Sequence, residues 1–339
     1  MIKLAIDLGS SMTKIYRADA GNGIVLAEPS CVSINADREV KAVGKDAKKL
    51  VGKTSELTSI VFPVYEGEIV DGQLAAVMLK EFLGKVGVKF SALKRAQVVF
   101  SVPCGASNEL LEDYERLAEE CGLRKVSFVE VPYLAAFGSE LVLSEANPVF
   151  CIDIGGGVTN VAVLSLGGII AGLSMNVGGN NMDANIMERM SNGKGLNVGV
   201  LTAERIKNEI GSLSPNARGS TVAEGSSVNT FRPASVAVQA SEISDCIRVY
   251  VDKILEYATL VLNKLPAEVA ASVNKTGVCL SGGVAKISYV PEYISKRLEM
   301  RVHVCEEPQF AVVSGGGVAA RDLKLLEKIE KRPNAEYEY

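Results

Sequence analysis

Apolar positions along the chain fall into two alternating kinds of run. Short β-type runs end at a glycine turn or a proline, and longer stretches repeat with helical spacing. Ile2–Asp7 is a β-type run that ends at Leu8-Gly9-Ser10-Ser11, and a second run, Thr13–Arg17, follows. This predicts a hairpin whose turn presents backbone N–H groups. The same design returns near the middle: Val149–Asp153 leads into Ile154-Gly155-Gly156-Gly157 and then into Val161–Ser165. Strand, aspartate, glycine turn and strand therefore occur twice, with Asp7 and Asp153 in matching places. Such a repeat implies an internal duplication and two halves of similar core architecture.

The intervening pattern alternates strands and helices. Gln97–Val102 reads as a strand ending at Pro103, and Asn108–Cys121 as a helix with Leu110, Leu111, Tyr114, Leu117 and Ala118 on one stripe, stopped by Gly122. Strand Val126–Val129 precedes a helix over Tyr133–Ser139 that is entered at Pro132. In the second half, Ala203–Ile210 and Ser241–Leu265 read as helices, Gly277–Ser281 as a buried strand, and Val302–Cys305 and Val312–Arg321 as a last strand and helix. Ser212–Thr230, rich in Ser, Gly and Asn, is expected to be a loop or a peripheral hairpin, and Asn334–Tyr339 a disordered tail. This order predicts an α/β fold with ligands at the carboxyl ends of strands, where both glycine turns sit.

Composition narrows the picture. With 339 residues, 47% hydrophobic and 22% charged, the chain has the length for two domains and the apolar content for a sizeable core. A net charge of −4 argues against a general nucleic-acid binder, and the basic clusters Lys45–Lys49 and Lys328–Arg332 read as solvated helix faces. Cysteines 31, 104, 121, 151, 246, 279 and 305 form no C-x-x-C pair and read as buried reduced thiols. One histidine, His303, excludes a His-rich metal site and reads as a strand residue. No signal peptide or 18-residue apolar run precedes or interrupts the pattern, so a cytosolic protein is expected.

The turns carry the candidate chemistry. Phosphate groups need inward N–H donors and close backbone approach, which glycine and small residues permit. Leu8–Met12 and Ile154–Thr159 supply such donors, with the hydroxyls of Ser10, Ser11 and Thr159 in addition. A carboxylate at each strand end would repel phosphate directly, so Asp7 and Asp153 are candidates to hold Mg²⁺ through water. Lys14, on the strand after the first turn, either reaches a phosphate or is simply exposed. Leu280-Ser281-Gly282-Gly283 offers a Gly-Gly step against which a flat base could lie; the competing reading is a helix N-cap at Ser281. Glu204 and Lys207 share one helix face and are candidates for ribose hydroxyls, or else form a surface ion pair.

Taken together and in this order, these residues resemble the actin-like ATPase superfamily, and most closely the MreB-like bacterial actins. The likeness runs from Ile2 to about Ala320 and includes Gly23–Ser30, Asp153–Gly157, Ser165–Ile170, Val177–Asn180 and Thr202–Gly211. It implies an actin-like ATPase fold: two duplicated α/β domains with four subdomains around a nucleotide cleft. Domain I would span 1–145 (core 1–31 and 65–145, small subdomain 32–64). Domain II would span 146–325 (core 146–180 and 241–325, small subdomain 181–240), with a C-terminal tail over 326–339. By match, Asp7, Gly9, Ser10, Ser11, Met12, Thr13 and Lys14 form the first phosphate loop. Asp153, Gly155, Gly156, Gly157, Val158 and Thr159 form the second. Glu204, Lys207, Gly282 and Gly283 fall on the adenosine pocket, with ATP or ADP and Mg²⁺ as cofactors. The resemblance further implies homopolymeric filaments that scaffold cell shape on the inner face of the plasma membrane, with other MreB paralogues and cell-wall synthesis proteins as partners, and no nucleic acid.

Two departures matter. MreB-like proteins hold the attacking water with a glutamate just before the proline of a Glu-Glu-Pro step, assisted by a threonine after the triple glycine. Here those positions are Val131 and Val158. Valine has no acceptor for a water proton. Glu130 is the one candidate replacement, through a shifted strand. The expectation is a protein that binds ATP and hydrolyses it very slowly. The family's membrane-insertion loop matches Lys85–Arg95, where Val88, Phe90 and Leu93 are expected to dip into lipid between Lys89, Lys94 and Arg95. The alternative there is an ordinary connector with a partly buried Phe90. A non-polymerising ATP sensor on the same fold is the rival reading that the lost hydrolysis groups leave open.

Overall fold

The computed structural model describes residues 2–19, 23–52, 58–141, 143–144 and 147–331. The expected tail Asn334–Tyr339 lies outside the described residues.

Two large sheets carry the duplication. In the first, strands Gly23–Pro29, Met12–Arg17 and Lys3–Leu8 form an antiparallel meander, and Lys3–Leu8 continues in parallel to Gln97–Val102 and Lys125–Glu130. In the second, Gly168–Met175, Thr159–Ser165 and Val149–Ile154 form the same meander, continued in parallel by Val278–Ser281 and Val302–Val304. The registers match as well: Asp7 lies opposite Lys14 in the first hairpin, and Asp153 opposite Asn160 in the second. The repeat read from two turns thus extends to five strands in each half. Val149–Ile154 and Thr159–Ser165 are buried along their whole length, as expected of strands covered on both faces.

Two helices stitch the halves together. Val131–Gly138 follows a first-half strand yet packs on the second-half sheet, while Ala311–Arg321 packs back on strands Lys3–Leu8 and Met12–Arg17. They cross at backbone contact: a Cβ on Gly138 would lie 1.7 Å from the Ala311 carbonyl oxygen, and one on Gly315 would lie 1.9 Å from that of Leu134. Only glycine fits either place. A shared core including Leu134, Ala135, Cys151, Cys279 and Val313 surrounds the crossing, between the separate cores of the two halves.

Each half carries a small sheet. Val40–Val43, Val32–Asn35 and Thr58–Val61 form one, with helix Lys45–Lys48 at its edge. Leu196–Asn197, Ser220–Ser227 and Pro233–Gln239 form the other, over a fourth core that includes Ile186, Ile206 and Ile243. The Ser/Gly/Asn-rich stretch is therefore half of a hairpin whose second arm runs past Thr230.

Most predicted elements fall where the pattern put them. The helix Asn108–Glu120 is capped by the Ser107 side chain, which accepts from the Leu110 N–H, and Gly122 (φ 76°) ends it. All seven cysteines are free and six are buried, and His303 lies in strand Val302–Val304. The basic clusters need correction. Lys331 is buried, in a short strand, Glu330–Lys331, that runs antiparallel to Lys125–Glu130 and widens the first sheet to six strands. Lys48 is half-buried because its ammonium meets Glu204 of the other half at 2.7 Å.

The expected lipid-facing residues need correction too. Val88 and Leu93 are buried in the first-half core, in one cluster with Leu79, Phe82 and Leu83 of helix Gly72–Lys85. Neither side chain is available to a bilayer. The Phe90 side chain lies outside those described.

A candidate nucleotide cleft between the halves

The two glycine turns are built alike. The Gly9 N–H donates to the Met12 carbonyl at 3.2 Å and the Gly155 N–H to that of Val158 at 2.9 Å, each closing a four-residue turn. A Cβ on Gly9 or Gly155 would come within 2.9 or 2.8 Å of that same carbonyl oxygen, which accounts for glycine at both. The N–H groups of Ser10, Ser11, Gly156 and Gly157 make no hydrogen bond among the described residues. Unspent donors at strand ends suit an anion. The first turn is steadied from behind: Ser30 Oγ donates to the Gly9 carbonyl at 2.5 Å and meets Thr13 Oγ1 at 2.8 Å.

Both turns open on one cavity of about 660 Å³. Of the residues singled out from sequence, Asp7, Gly9, Ser10, Ser11, Met12, Lys14, Asp153, Gly155, Gly156, Val158, Glu204, Lys207, Gly282 and Gly283 line it. Thr13, Gly157 and Thr159 do not. Thr13 and Thr159 are buried behind the turns, and the Thr159 hydroxyl donates to the Val177 carbonyl at 2.7 Å, so it offers nothing to a ligand. Gly157 backs onto Ser10, whose Oγ would lie 2.8 Å from a Cβ placed there.

The two aspartates are held in parallel ways but differ in charge environment. Ser101 Oγ donates to Asp7 Oδ1 at 2.8 Å, and Ser281 Oγ donates to Asp153 Oδ1 at 2.6 Å. Ser281 is therefore a carboxylate's partner and not a helix cap. Asp7 also has a cation, the Lys14 ammonium at 2.8 Å, so Lys14 is committed within the first hairpin. The duplicated counterpart of Lys14 is Asn160, whose Oδ1 accepts from the Cys104 N–H. Asp153 has no salt bridge among the described residues. Burial pushes its carboxyl up to about 6, and the facing charge of Asp7 adds to the rise, while Ser281, Lys14 and Asn160 oppose it. A divalent cation beside Asp153 would relieve that strain. An all-oxygen pair of buttressed carboxylates suits hydrated Mg²⁺, which asks for few protein ligands. No group of three or more His, Cys, Asp or Glu side chains gathers into a cage among the described residues.

Part of the cavity wall is apolar. Val131 and Val158 both line it, beside Pro103 and Gly67. Glu130 is not there: it is buried one residue behind, where its Oε1 accepts from the Gly105 N–H at 2.6 Å and the Lys331 ammonium at 3.0 Å. Its expected role as a replacement base is corrected accordingly, since the edge strand that supplies Lys331 ties the carboxylate away from the cleft.

At the far end, Glu204 and Lys207 pair with different partners. Glu204 bonds Lys48 across the cleft, and Lys207, buried, donates to Asp183 Oδ2 at 2.7 Å and to the Gly179 carbonyl at 2.9 Å. The Gly282–Gly283 step faces the cavity, with Gly282 (φ 85°) so close to Ile154 that a Cβ would meet its carbonyl oxygen at 2.2 Å. Sequence reasoning missed Ser101, Asn160, Asn180 and Asp183 as cavity residues. Asn160 was available from the duplication, as the residue opposite Asp153; Ser101 and Ser281 lie in the last two residues of corresponding parallel strands. Asp183 carried no local signal, being one polar residue on a mixed helix.

Duplicated sheets joined by crossed helices, with matching turns at one cleft, define the actin-like fold. The solved MamK double helical filament, 17% identical, matches with a TM-score of 0.77 over 95% of this chain and 99% of that one. The family model for MreB/Mbl protein matches residues 1–328. Cell shape-determining protein MreB of Escherichia coli K12 is 34% identical, covering 95% of this chain and 94% of its own length. Cell shape-determining protein Mbl of Bacillus subtilis 168 is 30% identical, covering 97% and 98%. MreB5 of Spiroplasma citri, crystallised with AMPPNP, is 26% identical and matches with a TM-score of 0.90 over 95% of this chain and 97% of that one. The chain belongs to the MreB/Mbl family.

Proposed function

We propose that this chain is an ATP-binding, filament-forming bacterial actin that scaffolds cell shape and hydrolyses its nucleotide slowly. The observation that carries the reading is the pairing of an intact phosphate cradle with an apolar hydrolysis wall. The unspent N–H groups of Ser10, Ser11 and Gly156 and two buttressed carboxylates line the cleft, whereas Val131 and Val158 line it at the two positions where the family resemblance implies water-positioning groups. The nucleotide assignment is supported by the S. citri MreB5 structures bound to AMPPNP and to ADP. Mg²⁺ would be held near Asp7 and Asp153 and would supply charge neutralisation at the phosphates.

Anhydride hydrolysis depends on positioning and electrostatics. Here the chain's own residues supply the second and omit part of the first. General-base and positioning groups contribute about 10²–10⁴-fold to such rates. Self-association is supported by family membership and by the MamK filament with the same fold. The division into domains at about residue 145, each with a small subdomain, belongs to this reading.

Membrane association in this account rests on charge. Lys89, Lys94 and Arg95 are exposed around the helix Phe90–Leu93, and three such residues near an anionic leaflet contribute about 3 kcal/mol together. No helix among the described residues is long and apolar enough to cross a membrane. Pelleting with and without Mg·ATP, followed by electron microscopy, tests the function. Filaments support it, and a monodisperse monomer that binds ATP would replace it with the non-polymerising sensor.

A further inference from the structure

A loop over residues 103–106 starts in the wall of the cleft, at Pro103, and is gripped by both halves and by the last described strand. It follows strand Gln97–Val102, closes with the Ala106 N–H on the Pro103 carbonyl at 3.1 Å, and leads into helix Asn108–Glu120. The Cys104 N–H reaches out of the first half and donates to Asn160 Oδ1 of the second at 2.9 Å. Its sulfur docks there too: a Cβ on Gly172, in strand Gly168–Met175, would lie 2.8 Å from it, so glycine leaves room for the loop. Gly105 (φ 74°) then turns the chain back, and its N–H donates to Glu130 Oε1 at 2.6 Å. That buried carboxylate takes the buried ammonium of Lys331 at 3.0 Å. Lys331 sits in the edge strand Glu330–Lys331, paired with Phe128 and Val129.

Two links therefore run in series from the end of the chain to the cleft. Lys331 and Glu130 hold the Gly105 N–H, and the neighbouring Cys104 N–H holds Asn160. Asn160 lines the cavity and stands opposite Asp153 in the hairpin of the second glycine turn. A buried carboxylate is a strong acceptor while its cation is in place, and is left uncompensated when the cation goes. The grip on Gly105 thus depends on the edge strand, and the place of Cys104 on Asn160 depends on that grip. A ligand held by both glycine turns leaves when the halves part, and parting breaks the bond at Asn160. We propose that the 103–106 loop is a latch between the halves, locked from behind by the C-terminal edge strand, and that it slows release of the bound nucleotide. This regulation rests on the reading of the cleft as a nucleotide site. Displacing the edge strand unlocks it, and a short strand at a sheet edge belongs to the low-stability end of a fold.

The test times release of a fluorescent ATP analogue, bound with Mg²⁺, from the full chain and from variants shown by thermal melts to be folded. An apolar pair, Glu130→Leu with Lys331→Met, replaces the buried ions by groups of similar size, which a core tolerates, and deletes the acceptor for Gly105. A neutral pair, Glu130→Gln with Lys331→Met, removes the same charges but keeps that acceptor. Neither Glu130 nor Lys331 lines the cavity, so a change in release is not a lost ligand contact. Asn160→Ala cuts the latch at its other end. Loss of one hydrogen bond predicts release roughly three- to tenfold faster from the apolar pair and from Asn160→Ala. The neutral pair should release as the parent does. Adding Asn160→Ala to the apolar pair should be no faster than the faster of the two, because both open one latch. Without nucleotide, exchange of the Cys104 amide hydrogen should quicken in the apolar pair and stay slow in the neutral pair. Equal release from the parent and the apolar pair overturns the latch, and so do effects that multiply when combined. A parent chain that binds no nucleotide removes the functional reading instead. Amide exchange then decides the latch alone, and equal rates in the parent and the apolar pair overturn it.

Discussion

Replacing Asp153 with asparagine should make the nucleotide-free protein more stable, while removing its grip on Mg·ATP. In the folded chain the Asp153 carboxyl is pushed up to about 6 from an ordinary 3.8, chiefly by burial and then by the facing charge of Asp7. A rise of about two units corresponds to a ceiling of ~3 kcal/mol. The sign follows from linkage. Between about pH 4 and pH 6 the folded state holds a proton that the unfolded state has lost, so stability falls as pH rises. The cost is absent below that window and complete above it. Asp183 titrates over the same range, so the slope of the parent chain alone does not isolate Asp153, but the difference from Asp153→Asn does. Asparagine keeps an acceptor for Ser281 Oγ. At pH 7.5 the variant should therefore gain roughly 1–3 kcal/mol, a few degrees in melting temperature at ~2–4 °C per kcal/mol, and the gain should vanish near pH 4. Saturating Mg·ATP should reverse the order, since a ligand at 100 times its Kd adds about 2.7 kcal/mol to the protein that binds it. Calorimetric melts at several pH values, with and without Mg·ATP, would read this. A variant less stable than the parent at pH 7.5, or a difference that does not change with pH, would refute the argument that Asp153 is held charged at a cost for a cation.

Four other outcomes follow from the same geometry. Lys331→Ala should cost on the order of 3 kcal/mol by leaving the buried Glu130 carboxylate without its ammonium; adding Glu130→Gln should recover much of this in denaturant titrations, and a null effect would show the edge strand to be dispensable. Lys48→Ala should change stability by less than about 1 kcal/mol, because the pair with Glu204 is half-exposed. It should nonetheless speed release of a fluorescent ATP analogue several-fold by opening the cleft, and an unchanged off-rate would count against that bridge. Val88→Ser and Leu93→Ser should each destabilise the first half by about 2 kcal/mol. Charge reversal of Lys89, Lys94 and Arg95 should instead lower co-sedimentation with anionic liposomes without altering the melt.

Much of the cleft could be read from the chain because it rests on local chemistry written twice. A strand, an aspartate and a glycine turn are contiguous in sequence, and duplication turned two weak signals into one strong one. Lys14 and Asn160 show where that reading stopped. They occupy one register position, yet only the structure reveals that the first neutralises its aspartate and the second does not. Glu130 and Lys331 stand 201 positions apart, and a basic cluster near the end of the chain gave no sign that one of its lysines closes a sheet edge. Val88 and Leu93 failed for a related reason: alternation with lysines fits a lipid-dipping loop and a one-turn helix over a core equally well, and tertiary packing chose the latter. Asp183 escaped because its contact with Lys207 exists only once both helices are in place.

Under the proposed function, the cleft keeps nucleotide binding and lacks the groups that orient the attacking water. Phosphate release by polymerised protein, measured beside the double variant Val131→Glu with Val158→Thr, tests it most directly. The account predicts a very low rate for the parent chain, tight ATP binding in both proteins, and a gain of at least about 10²-fold in the double variant. A parent chain that already turns over as fast as the double variant would contradict it.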